Sequence, residues 1–358
     1  MEDRCRIRQE LLNSWRLTSK SELYERLAQQ AIRRGPDPDA GLLDSAGIAL
    51  SAELDRGDRP DWRVINRQER LRSTVFELCA EYADLSVHLF YKIEHLPHDS
   101  KRQVSLEELQ RRYRSLTVER ILAPELSRSF KEAQVRFDAP VIIEPDLLTG
   151  IRWRVSGKSL GRMISYGLPW KRTTGRMLYE SVGSAVRLIE EVGGSHGPSL
   201  TEYECRERVL RDVRGADRYL PAGLRAHVLR VAEDLMGRVD FKKLPIWTHG
   251  DLSRTNILIK GSRVGFIDFS WTPQLAGRDI AQLLVRQQRE SLQRNGPSSL
   301  AKALLRGYAV DLTSPGWQLA YLLRLLRLIW RPDDEKSQRW STERVSLLLE
   351  SGTSSPWG

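Results

Sequence analysis

Residues 247–271, WTHGDLSRTNILIKGSRVGFIDFSW, place His249, Asp251, Asn256 and Asp268 inside an apolar frame. The segments Asn256-Ile-Leu-Ile and Val264-Gly-Phe-Ile-Asp268 flank the turn-forming group Lys260-Gly261-Ser262-Arg263, which predicts a β-hairpin. With the turn centred near Ser262, positions 256 and 268 are equidistant from it and become cross-strand neighbours, their Cα atoms roughly 4.5–5.5 Å apart. An amide oxygen and a carboxylate then converge. One hard divalent cation, which takes oxygen ligands and lets phosphates supply the remainder, could bridge them. Asp251 lies in the loop entering the hairpin and faces the same mouth. Phosphoryl transfer suits this set: one carboxylate positions and deprotonates a hydroxyl, while the other two groups hold Mg²⁺ on the donor phosphates. A lone Asp or Asn at a hairpin end is ordinarily a turn or capping residue; the joint spacing with His249 and Gly250 favours the chemical reading.

The elements that must position this hairpin divide the chain by pattern. Residues 1–55 read as a helical N-terminal extension, with amphipathic stretches around LLNSW and SELYERLAQQAIRR and a break at Gly35-Pro36-Asp37-Pro38. From Trp62 to about Val155 the pattern is strand-rich: DWRVINR, STVFELCAEY and SVHLFYKIEHL, then PVIIEP and GIRWRVSG, the last two separated by a turn at Leu148-Thr149-Gly150. In SVHLFYKI, Val87, Leu89 and Tyr91 share one face and His88, Phe90 and Lys92 the other, so Lys92 ends a strand. Between these strands Ser105-Leu-Glu-Glu108 forms a capping box that opens the helix LEELQRRYRSLTVERIL. After Gly157 long helical patterns dominate, RMLYESVGSAVRLIEEVGG and LRAHVLRVAEDLMGRV among them, and the tail SGTSSPWG is expected to be disordered.

Composition bounds the partners. At 358 residues and 40% hydrophobic content the chain can bury more than one core. Three cysteines without ligand-like spacing suggest neither a disulfide framework nor a zinc site, and the expectation is a cytoplasmic protein in a reducing compartment. The net charge of +10 attracts anions, yet it is spread along the chain and no aromatic-basic nucleic-acid signature accompanies it, so no nucleic-acid partner is expected. The stretch GWQLAYLLRLLRLIWRP, 316–332, is read first as a buried helix with arginines at its edge; peripheral contact with an anionic membrane is the alternative. His88, His95 and His98 have no convincing metal spacing.

HGDLSRTNIL followed by GFIDFSW resembles the catalytic and metal-binding segments of the aminoglycoside phosphotransferase and choline-kinase-like family, a branch of the protein-kinase-like fold. The resemblance spans about residues 62–310 and is strong from 247 to 282. It implies an α+β, bilobal fold with a small N-lobe at 56–156 and a mainly helical C-lobe at 157–350. ATP and Mg²⁺ would be bound between the lobes, and the γ-phosphoryl group would pass to a hydroxyl of a small molecule or glycan. It also implies Asp251 as catalytic base, His249 as a residue shaping the catalytic loop, and Asn256 and Asp268 as Mg²⁺ ligands. Lys92 would reach the α- and β-phosphates and pair with a Glu on the following helix, Glu119 in preference to Glu108. The backbone near Val155 would bond adenine. Asp279, in GRDIAQLL, would start a helix and brace the loop, or serve as an ordinary first-turn acid. The chain departs from protein kinases: RQERLR stands where a Gly-rich loop would, Gly250 replaces the Arg of HRD, and no APE segment follows. A nucleotide-binding pseudokinase scaffold and an atypical protein kinase are the alternative readings. The basic surface disfavours polycationic aminoglycosides as acceptors.

Overall fold

The structure, a computed structural model, describes residues 40–70, 73–94, 106–144, 149–165, 172–196, 202–241, 246–292, 299–309, 311–332 and 334–350. The expected helices before residue 40, Ser105, the Glu108 side chain, His95, His98 and the tail lie outside the described residues. The chain divides into two units. Among the described residues, the first comprises those up to Lys131, then Arg136–Gly157 and Gly265–Trp271; the second takes Glu132–Val135, Lys158–Val264 and the residues from Thr272 onward.

The first unit is strand-rich. Helix α1 (Ala40–Glu53) precedes strands β1 (Asp61–Arg70), β2 (Ser73–Glu81) and β3 (Ser86–Glu94); helix α2 (Leu106–Glu132) and strands β4 (Arg136–Phe137), β5 (Pro140–Glu144) and β6 (Thr149–Trp153) follow. The sheet order is β1-β2-β3-β6-β5. The alternation expected in SVHLFYKI is present: Val87, Leu89 and Tyr91 are buried, while His88 is exposed and Lys92 half-buried.

Three features differ from expectation. RQER is strand instead of loop: β1 pairs with β2 from Asp61↔Glu81 to Arg70↔Ser73. Charged side chains on this edge strand remain in water and keep the edge from pairing further. Thr149 and Gly150 belong to β6, and a Cβ on Gly150 would press to 3.1 Å from the Ile142 carbonyl, so the glycine serves a close strand approach. Helix α2 continues through Pro124 to Glu132, because Val118, Leu122, Leu126 and Phe130 carry one buried stripe past the proline. In α1, Leu42, Ala46 and Leu50 recur every fourth residue, and they pack into the same core as Phe76, Leu78 and Leu89 of the sheet.

The second unit is mainly helical. It contains β7 (Lys158–Ser159), α3 (Leu160–Ser165), α4 (Arg172–Ser195), α5 (Glu202–Asp217), α6 (Ala222–Arg238), β8 (Ile246–Thr248), β9 (Ile257–Lys260), the start of β10 (Arg263–Phe266), β11 (Thr272–Gln274), α7 (Arg278–Leu292), α8 (Ser299–Tyr308), α9 (Pro315–Trp330) and α10 (Glu335–Glu350). Helices α4 and α8 meet backbone to backbone: a Cβ on Gly183 would overlap the Leu304 carbonyl oxygen, and one on Gly307 the Glu180 carbonyl oxygen. Helix α9 is the core helix of this unit. Its Leu319, Leu322, Leu323, Leu325, Leu326 and Ile329 are fully buried, and α5, α6, α7 and α10 pack around it. Its apolar surface is therefore spent on the interior, as the first reading of 316–332 expects. No helix of the described residues is long and apolar enough to cross a membrane.

Candidate active site

In the mainly helical unit the loop between β8 and β9 carries His249, Asp251 and Asn256. Gly250 adopts φ 82°, backbone that suits glycine, and its N–H donates to Asp279 Oδ2 at 3.1 Å. The other oxygen, Asp279 Oδ1, accepts from Gln274 Nε2 at 2.8 Å. Asp279 lies in the first turn of α7 and is 3% exposed, so its charge is held by these donors and by the helix N-terminus. Further along α7, Gln282 Nε2 donates to the Leu252 carbonyl at 2.7 Å. One helix thus grips the loop at both ends of Asp251. Within the loop, Asn256 Nδ2 donates to the Asp251 carbonyl at 2.9 Å. That bond commits the amide nitrogen, while Oδ1 accepts from the Thr255 hydroxyl at 3.4 Å and keeps a second lone pair. His249 is fully buried, whereas Asp251 is exposed.

The hairpin turn occupies Gly261 and Ser262, with Gly261 at φ 61°. Glycine at the first central position is what a two-residue hairpin turn demands. The turn centre therefore lies half a residue before Ser262, and the equal count of residues to Asn256 and Asp268 does not hold. Strand β10 also ends at Phe266, before Asp268.

In the strand-rich unit Asp268 itself sits in left-handed backbone, φ 59°. Its N–H donates to Asp138 Oδ2 at 3.1 Å, and the Asp138 N–H donates to the Phe266 carbonyl at 3.1 Å. Phe266, Phe269 and Trp271 lie buried around Phe130 and Phe137, with Phe269 stacked on Trp271 at 5.2 Å and edge-on to Phe137 at 5.6 Å. The aromatic residues fix the segment, and the Asp268 side chain remains half exposed. Lys92 Nζ lies 3.9 Å from Asp268 Oδ1. The expected partner of Lys92 on helix α2 is committed elsewhere: Glu119 is fully buried and takes both guanidinium nitrogens of Arg152, Nη2 to Oε2 at 2.7 Å. Val155 follows β6, and neither its N–H nor its carbonyl makes a hydrogen bond among the described residues.

Asp138 and Arg152 were not singled out from sequence. Arg152 Nη1 also reaches the Asp138 carbonyl at 3.4 Å, so Glu119, Arg152, Asp138 and the Asp268 peptide form one chain of contacts. Burial pushes the Asp138 carboxyl up to about 7, with Arg152 pulling the other way. Nothing in RFDAP announces this part, since an acid between two short strands reads as a turn residue.

The model of the phosphotransferase enzyme family matches residues 125–323, more than half of the chain. The chain belongs to this family. Among curated proteins none matches. Solved structures with some likeness include a putative fructosamine-3-kinase from Thermobifida fusca, 18% identical, covering 82% of this chain and 95% of that one at a TM-score of 0.47. A choline/ethanolamine kinase family protein from Mesorhizobium loti is 16% identical, with 88% and 97% covered at 0.43. The macrolide 2'-phosphotransferase MphH from Brachybacterium faecium is 15% identical, with 84% and 96% covered at 0.42. The chain is a phosphotransferase, and it is α+β, with one strand-rich and one mainly helical unit.

The phosphotransferase's own residues suit a magnesium nucleotide by their donor chemistry. Asn256 Oδ1 and the Asp268 carboxylate are hard oxygen donors, and Lys92 offers a cation beside Asp268. Among the described residues no three His, Cys, Asp or Glu side chains form a preformed cage. Magnesium sites that rely on substrate phosphates for most of their ligands need no such cage.

A buried acid also braces α7 from below. Glu190 accepts the Gly277 N–H at 3.0 Å and the Tyr308 hydroxyl. Burial pushes its carboxyl up to about 8, and those two donors pull it down. The folded-state value lies above the ordinary 4.5, so the stability contributed by protonated Glu190 is complete below that value and is lost as pH rises through about 8. The melting temperature is expected to fall between pH 5 and 8.5, and Glu190→Gln to flatten that fall. An unchanged slope in calorimetry of the variant would exclude Glu190 as the cause.

Proposed function

We propose that this phosphotransferase moves the γ-phosphoryl group of ATP to a hydroxyl of a small molecule or glycan, using Mg²⁺. The observation that carries the reading is the placement of Lys92 Nζ 3.9 Å from Asp268 Oδ1 while a backbone hydrogen bond to Asp138 holds Asp268 in left-handed conformation. A phosphate-binding cation and a carboxylate suited to magnesium have that relation. The bound metal ion would supply charge neutralisation on the donor phosphates.

Lys92 binds the α- and β-phosphates and offsets their charge. Asn256 Oδ1 and the Asp268 carboxylate hold the ion, each oriented by a bond made elsewhere in its own residue. Asp251, exposed on a loop that Asp279 and Gln282 brace, positions the acceptor hydroxyl and takes its proton as the new P–O bond forms and ADP departs. His249 packs beneath this loop. The free Val155 peptide hydrogen-bonds the adenine edge. Most of the rate comes from positioning and charge stabilisation, since the transition state asks for little covalent chemistry from the protein.

Titration calorimetry of ATP with and without Mg²⁺ tests the site. Wild type should bind ATP at least tenfold more tightly with Mg²⁺ present, and Asp268→Asn should abolish most of that gain. Equal magnesium dependence in the variant would remove Asp268 from the ligand set.

A further inference from the structure

Within the mainly helical unit, helices α5, α7 and α9 and strand β11 line a partly open cavity of about 110 Å³ that none of the proposed reacting residues lines. Four guanidinium side chains, Arg208, Arg211, Arg278 and Arg327, line it, against a single carboxylate, Asp212. Asp212 is 2% exposed and is bound by Arg278 Nη2 at 2.6 Å. Arg208 Nη1 donates to the Pro273 carbonyl at 2.7 Å. Arg327 also feels the Asp212 carboxylate, though Arg278 makes the contact with it. Asp212 is thus shared between Arg278 and Arg327, Glu204 acts on Arg208 from outside the lining, and Arg211 is exposed to solvent, so the cavity wall keeps an excess of positive charge. Arg208 and Arg327 are held below the ordinary arginine value, each by burial first and then by a neighbouring guanidinium.

Crowding like charges around a hollow disfavours the empty state, and an oxyanion relieves it. Guanidinium groups in a fixed fork match phosphate and carboxylate oxygens two at a time. Size narrows the ligand. Sites that take a whole drug-sized molecule measure roughly 300–1,000 Å³. A cavity of about 110 Å³ accepts one oxyanionic group with a water or two. We propose that this cavity is an anion subsite, built by Arg208, Arg211, Arg278 and Arg327, for the phosphate or carboxylate group of a small molecule. Its location ties it to the loop that bears Asp251: Gln274 lines the cavity and also donates to Asp279, which holds the Gly250 N–H.

The test is titration of the purified chain with inorganic phosphate and, separately, with succinate, both against chloride at matched ionic strength, read by calorimetry and by ³¹P line width. Saturable binding of either oxyanion above chloride is expected, with Arg211→Gln and Arg327→Gln each weakening it about tenfold. Preference for phosphate assigns the subsite to a phosphate ester, and preference for succinate to a carboxylate ligand. Arg211 is exposed, so Arg211→Gln keeps the test open should Arg327→Gln fail to fold. Lys92→Met should leave phosphate binding intact. Loss in Lys92→Met would place the ion at the nucleotide site and overturn the proposal, as would binding no stronger than chloride or unchanged in both arginine variants. A failure of ATP turnover leaves this result unaffected, because none of the four arginines belongs to the proposed nucleotide or acceptor site.

Discussion

Asp251→Ala is expected to lower kcat by about 10³-fold or more while ATP affinity stays within about twofold. The residue is exposed at a loop held from outside itself: Asp279 fixes Gly250, Gln282 fixes Leu252, and Asn256 bonds the Asp251 carbonyl, not its carboxylate. Removing the carboxylate therefore leaves the loop's hydrogen bonds in place. The loss should fall on the proton-accepting and positioning step and spare nucleotide binding. A variant that unfolds, or that loses ATP affinity in parallel with turnover, would show that Asp251 holds structure instead.

Glu119→Ala carries the largest expected effect on stability. Arg152 is buried against Glu119, and removing the acid leaves an enclosed guanidinium without its bidentate partner, with the Asp138 carbonyl at 3.4 Å and the Asp138 and Asp268 carboxyls acting on it without a salt bridge. Breaking such a pair from one side costs about 3–5 kcal/mol. In a chain of this size that corresponds to a fall in Tm of roughly 4–7 °C. Replacing both partners by leucine should recover much of the loss, since the desolvation cost of the pair disappears with it. The same variant discriminates between two parts for Glu119. Lost stability with ATP affinity retained supports the Arg152 pairing. Affinity falling tenfold at constant Tm would return Glu119 to Lys92.

What could be read from the chain was local. The hairpin around Gly261 followed from turn chemistry, and the two faces of SVHLFYKI followed from a period of two, because both signals are set within a few residues. Helix α2 outran its expected end because burial of Leu126 and Phe130 outweighed one proline, and tertiary packing of that kind has no local mark. The site divides in the same way. Asp251, Asn256 and Asp268 stand out by type and spacing. Their supports do not: Asp138 contacts Asp268 across 130 positions of sequence, and Arg152 meets Glu119 across 33. The choice of Glu119 named a buried acid on the right helix and missed its partner, since only the register of β3, β5 and β6 brings Arg152 over it. The arginine cavity was invisible for the same reason: its four guanidinium groups come from three helices spread from position 208 to position 327, and each alone resembles a solvated face.

The most direct test of the account is transfer itself. Purified chain, ATP labelled at the γ-phosphate and Mg²⁺ are incubated with a panel of amino alcohols, sugars and glycans, and products are resolved by mass spectrometry. The account predicts a magnesium-dependent phosphate ester on a hydroxyl with wild type and none with Asp251→Ala. Equal labelling by both proteins, or ATP binding with no hydroxyl in the panel labelled, would contradict it.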